Sequence, residues 1–103
     1  MTRVELSLAA SEQLERLIVT HSLPANTNPR VGRSLRLLEQ FPSMGRHLGG
    51  QLEGFRFILG PWRWLLIVYA YEEPADRALV VDFQDARSST AVTSLATRPG
   101  NPR

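Results

Sequence analysis

The chain contains no cysteine and no lysine, and its apolar stretches stop well short of membrane length. Without cysteine there is neither a disulfide framework nor a thiolate metal site, which agrees with a reducing compartment. The lack of an 18-residue apolar run or a signal-like leader makes a cytoplasmic protein the expectation. Because all 12 basic side chains are arginine, positive charge can bind phosphate or carboxylate. It supplies no lysine general base near neutral pH. Two histidines, His21 and His47, lie far apart with no carboxylate cluster, so neither a metal nor a cofactor is expected.

What remains is an ordinary globular composition, 43% hydrophobic and 21% charged over 103 residues, enough for a single core. Charge is unevenly placed. Arg30, Arg33, Arg36, Arg46, Arg56 and Arg63 fall in one segment with only Glu39 and Glu53 opposing them, which points to an anionic partner or to a solvated basic surface.

The segment Glu53 to Tyr71 dominates the pattern and reads as a β-hairpin. Phe55, Phe57 and Leu59 alternate, Gly60-Pro61 interrupts, and a second strand is expected from Trp62 to Tyr71. With Gly60 and Pro61 as a two-residue loop, Leu59 faces Trp62, Ile58 faces Arg63 and Arg56 faces Leu65. A core face of Phe55, Phe57, Leu59, Trp62, Trp64, Leu66 and Val68 follows. Arg56, Ile58, Arg63, Leu65, Ile67, Tyr69 and Tyr71 then form the outer face, an assignment that keeps both arginines out of the core.

Upstream, RVELS (3–7) alternates as an edge or near-edge strand, and Ser7 or Ser11 is positioned to cap a helix from Ala9 to His21. LPANTNP (23–29) breaks the periodicity before a second helix from about Pro29 to Gln40, ended by Pro42. SMGRHLGG (43–50) carries Arg46 and His47 towards the sheet. ALVVDFQ (78–84) is a further strand, with Leu79, Val81 and Phe83 alternating. The expected fold is α+β, ordered β-α-α-β-β-β, a small antiparallel sheet packed against a two-helix hairpin. Residues 1–88 form its one domain and residues 89–103 a flexible tail.

This order and several local motifs resemble the RelE/ParE superfamily of bacterial type II toxins. LSLAASEQLERL (6–17) is similar to the Leu-Ser-x-x-Ala opening of helix one, and FPSMGR (41–46) to an Asn-Pro-x-x-Gly-Arg segment with Phe41 in the asparagine position. GFRFILGPWRWLLIVY (54–69) resembles Gly-x-Arg-x-x-x-x-Gly-x-Tyr-Arg-x-x-x-Tyr. Gly54, Arg56, Gly60, aromatic Trp62 and Arg63 recur in that order, with three residues instead of four between Arg56 and Gly60, and the closing tyrosine comes later, at Tyr69. VVDFQDARS (80–88) resembles Val-x-x-x-His-x-x-Arg-Asp, with Gln84, Arg87 and Ser88 in the last three named places.

The resemblance implies a growth-inhibiting toxin restrained by a cognate antitoxin, with operator DNA bound only through that antitoxin. Three readings differ in mechanism. A ParE-like toxin would inhibit a protein such as DNA gyrase without catalysis, as the missing acid–base residues favour: there is no tyrosine after Tyr71 and no histidine after His47. A RelE-like toxin would cut ribosome-bound mRNA, Arg56, Arg63 and Arg87 stabilising the phosphate and His47 moving protons. A degenerate member would keep antitoxin binding alone. The expected antitoxin anchors are Leu65, Ile67, Tyr69 and Tyr71, with Arg33 at the rim.

Overall fold

The computed structural model describes residues 1–88, so the tail expected over 89–103 lies outside the described residues. Seven main elements follow the expected order, with one short addition: β1 (Arg3–Leu6), α1 (Leu8–Thr20), α2 (Thr27–Gln40), β2 (Arg46–His47), β3 (Arg56–Leu59), β4 (Leu65–Glu72) and β5 (Arg77–Asp85). They build a five-stranded sheet ordered β1-β5-β4-β3-β2. Every pairing is antiparallel except β1 with β5, which run parallel, Val4 opposite Ala78.

Ser7 starts α1. Its Oγ accepts a hydrogen bond from the Ala10 N–H at 3.0 Å, satisfying one of the free amides of the first turn. Ala10, Leu14 and Leu17 then recur on one side and are buried. α2 begins two residues earlier than its proline implied. Thr27 is buried there, and its Oγ1 donates to the Pro24 carbonyl at 2.7 Å, which folds the preceding turn into the helix start. Val31 and Leu38 carry the buried stripe, while Arg33, Arg36 and Leu37 face outward.

The hairpin differs from expectation in turn and in face. Its loop is the five residues 60–64, closed by the Gly60 N–H donating to the Leu65 carbonyl at 2.8 Å, so β4 begins at Leu65 instead of Trp62. Leu59 pairs with Leu66, Ile58 with Ile67 and Arg56 with Tyr69. This register is four residues from the expected one. An even shift preserves which side chains share a side. The helices, however, cover the opposite side from the one expected: Ile58, Leu65, Ile67 and Tyr69 join Ala10, Leu14, Leu17, Val31, Leu38, Ala78, Val80 and Phe83 in the core, with Tyr71, Trp62 and Trp64 packed at its margin.

The reason lies in the two arginines that decided the sequence reading. Arg63 is in the loop, where it constrains no face, and Arg56 sits at the sheet's margin with its guanidinium turned to loop carbonyls. Leu66 and Val68, on the side away from the helices, are also buried. A strand apolar on both sides offers alternation nothing to choose between, and both readings remove comparable apolar area from water.

On β5 the alternation of Leu79, Val81 and Phe83 is broken by a bulge. Val68 pairs with Asp82 and Tyr69 with Val80, which leaves Val81 as the extra residue. Val80 and Phe83 consequently both point at the helices and are 0% exposed.

Candidate functional site

Three side-chain groups organise the surface, and each is set by its strand position. At the first, the end of α2 returns to the sheet through residues 41–45. Tyr69, wholly buried on β4, donates its hydroxyl to the Pro42 carbonyl at 2.7 Å and accepts the Gly45 N–H at 2.9 Å. Arg56 donates to the carbonyls of Ser43 and Gly45, both at 2.9 Å. Burial raises the Tyr69 phenol above its ordinary value, offset in part by the Gly45 amide and the Arg56 charge. Gly45 is required by this approach. A Cβ there would lie 2.5 Å from the Tyr69 hydroxyl and 2.9 Å from the Phe57 carbonyl oxygen.

At the turn end of the hairpin, aromatic and charged side chains form a continuous stack. Arg30 lies 4.6 Å over the Trp62 ring, Trp62 stacks on Trp64 at 5.7 Å, and Trp64 stacks on His21 at 4.9 Å and takes the Arg87 guanidinium at 4.8 Å. His21 closes the group through Nδ1 to the Leu17 carbonyl at 3.2 Å and Nε2 to Asp85 at 3.0 Å. Hydrogen bonds from Arg87, chiefly from its side chain and also from its backbone N–H, together with the His21 contact hold the Asp85 carboxyl far below the usual carboxylate range despite some desolvation. The loop is therefore tied to α1, α2 and the end of β5. Between the two tryptophans, Arg63 is exposed, with no hydrogen bond or ion pair among the described residues.

The third group lies on the sheet's other side, at the β1 edge. Arg77 donates to Glu72 at 2.7 Å and to Glu5 at 3.1 Å, and Arg3 donates to Glu5 at 2.7 Å. These arginines are neutralised in place.

The expected catalytic set is thereby separated. Arg56 serves the 42–45 loop, Arg87 is paired with Asp85, Arg63 stands free at the turn, and His47 is exposed on the two-residue edge strand β2, opposite Arg56 in register. Arg63 and Arg87 share the turn end of the sheet, whereas Arg56 lies three residues along the strand from Leu59. The expected antitoxin anchors need correction. Leu65, Ile67 and Tyr69 are each 0% exposed under the helices, and Tyr71 is half-buried with its hydroxyl donating to Asp76 at 3.1 Å. An inverted face turned core residues into apparent surface ones. Arg33 is exposed, as a rim residue must be.

Sequence reasoning missed the stack. His21 enters the sequence reading only as one of two scattered histidines, and Trp62 and Trp64 as members of a strand's core face. The signal was the Trp-Arg-Trp triplet directly after Gly-Pro, which presents two rings on one side of a loop. No helix among the described residues is long and apolar enough to cross a membrane. None of the described residues form a metal-ligand cluster.

No protein-family model and no curated protein matches the chain. Solved structures do. The chain superposes on the YoeB/ParE toxin from Agrobacterium tumefaciens with a TM-score of 0.64 at 15% identity, covering 82% of this chain and 98% of that one. The isolated E. coli RelE toxin gives 0.64 at 11% identity over 92% and 95% of the two chains. A mutant E. coli RelE in complex with a RelB antitoxin peptide gives 0.63 at 13% identity over 95% and 96%. The fold is that of the RelE/ParE superfamily toxins.

Proposed function

We propose that this chain is the toxin of a type II toxin–antitoxin module, inhibiting growth unless its antitoxin is bound, and that it acts on a protein target such as DNA gyrase. Three solved toxins of this fold support the first part, one of them bound by an antitoxin peptide. The observation that carries the second is the engagement of the arginines. Stabilising a scissile phosphate needs preorganised cations converging on one point, with an acid–base group in reach. Here Arg56 is committed to Ser43 and Gly45, Arg87 to Asp85, and Arg3 and Arg77 to Glu5 and Glu72. His47 sits on the edge strand β2, three strands along the sheet from β5.

Arg63 is the side chain this reading assigns to the target. It is a free guanidinium on a loop whose flanking rings are already stacked, so it is presented with little ordering left to lose on binding. The test is induced expression without the neighbouring-gene product, followed by separate measurement of DNA supercoiling by gyrase and cleavage of ribosome-bound message. Growth arrest with blocked supercoiling and intact message is expected. Message cut by the purified chain on ribosomes would instead establish the RelE-like endonuclease, and normal growth the degenerate member.

A further inference from the structure

On one side the sheet ends at β1, which pairs with β5 alone. The Arg3 N–H donates to the Asp76 carbonyl at 3.1 Å and the Ser7 N–H to the Val80 carbonyl at 2.9 Å, so Arg3, Glu5 and Ser7 turn their backbone groups towards β5. By alternation Thr2, Val4 and Leu6 turn theirs outward. The Thr2 N–H is taken at 3.0 Å by the Glu39 carbonyl near the end of α2. The N–H and C=O of Val4 and Leu6, and the C=O of Thr2, have no partner among the described residues.

Edge strands are commonly kept from pairing by a proline, a bulge or charge of one sign. β1 is Arg-Val-Glu-Leu, without proline or bulge, and its two charges are of opposite sign, placed symmetrically about Val4. An antiparallel strand of the same sequence centred on Val4 therefore sets Arg3 opposite Glu5 and Glu5 opposite Arg3. Glu5 already accepts Arg3 at Oε2 and Arg77 at Oε1, and a carboxylate offers about four acceptor positions, so a further guanidinium can join. Leu6 is 37% exposed and Leu8 76%, which adds apolar surface at the end of the strand.

We infer that β1 is a self-association edge, on which a second copy of this chain pairs antiparallel about a twofold axis at Val4 and joins the two sheets into one. Val4 exchanges its N–H and C=O with those of Val4 in the second copy, and each Leu6 N–H donates to the Thr2 carbonyl across the axis. Arg3 and Glu5 of the two copies form reciprocal ion pairs at the position of the ladder without hydrogen bonds, where facing side chains come closest. A twofold interface must match itself, and it is this self-complementary charge that selects a second copy as the occupant. The strand is short and the interface correspondingly small, so association depends on concentration.

The experiment follows the mass of the full chain by sedimentation equilibrium as protein concentration is raised, with each variant first shown to be folded by near-ultraviolet circular dichroism. Val4→Pro removes the amide on the axis, and an edge strand tolerates proline where its N–H faces outward. That variant should self-associate about tenfold more weakly or worse, the scale of two lost hydrogen bonds. Arg3→Glu and Glu5→Arg should each weaken self-association by setting like charges across the axis. An equimolar mixture of the two should form the heterodimer, a rescue that a merely structural role for either residue would not give. Amide hydrogen exchange supplies a readout without mutation: the Val4 and Leu6 amides should slow as concentration rises, while those of Arg3 and Glu5, already bonded to β5, should not change. Leu59→Asp, on β3 towards the other edge of the sheet, should match the wild type. A chain that stays monomeric at every concentration, a dimer that Val4→Pro leaves intact, or Val4 and Leu6 amides unchanged by concentration overturns the inference. If Glu5→Arg does not fold beside Arg77, Val4→Pro and the exchange pattern still decide.

Discussion

Replacing Tyr69 by phenylalanine removes one oxygen and two hydrogen bonds while leaving the ring in place. The Gly45 N–H is buried and loses its acceptor outright; the Pro42 carbonyl is only partly buried and can recover water. A buried group left unsatisfied costs about 1–3 kcal/mol, so the loss should be about 2 kcal/mol, most of it from Gly45. For a domain of this size that lowers Tm by about 8–16 °C. The assay is urea unfolding followed by the fluorescence of Trp62 and Trp64, where the midpoint should fall with the slope unchanged. Because Arg56 holds the same loop, Arg56→Ala and Tyr69→Phe should combine to less than their sum: once one anchor has released residues 42–45, the other has less to hold. A change below about 0.5 kcal/mol for Tyr69→Phe, the range of an ordinary surface substitution, would refute the claim that this hydroxyl pins the loop.

Gly45→Ala should destabilise by about 2 kcal/mol or more, because the Phe57 carbonyl in its way is backbone and cannot swing aside; equilibrium unfolding checks this. Asp85 has its folded pKa held below the unfolded value, so the unfolded state binds the extra proton, and the stability it contributes above about pH 4 should fade as pH falls. Asp85→Asn should accordingly flatten the acid limb of a stability–pH curve, and a limb of unchanged slope would count against the Arg87 and His21 contacts. The raised Tyr69 phenol works at the other end, where stability should fall above about pH 10 as the unfolded tyrosine ionises first; Tyr69→Phe should abolish that component. Arg63→Ala should leave the unfolding midpoint unchanged within about 0.5 kcal/mol while weakening growth arrest on induction, and full toxicity in that variant would remove Arg63 from the target contact.

The sequence alone determined the order of the longer elements, an N-cap for α1 at Ser7 or Ser11, the two helices and the strand over 78–84. All of these are local periodicity or punctuation, in which neighbouring residues carry the whole message. It did not determine which side of the hairpin meets the helices. Leu65 to Val68 is apolar at every position, so alternation there has no sign, and the choice rested on two arginines of which one proved to be in a loop. Helix packing decided it, because only the side carrying Ile58, Ile67 and Tyr69 continues into Val80 and Phe83 once the bulge at Val81 has turned both inward. The functional surface moved with that decision. Residues chosen as exposed anchors became core, because no window of sequence contains the packing of α1 and α2 that covers them.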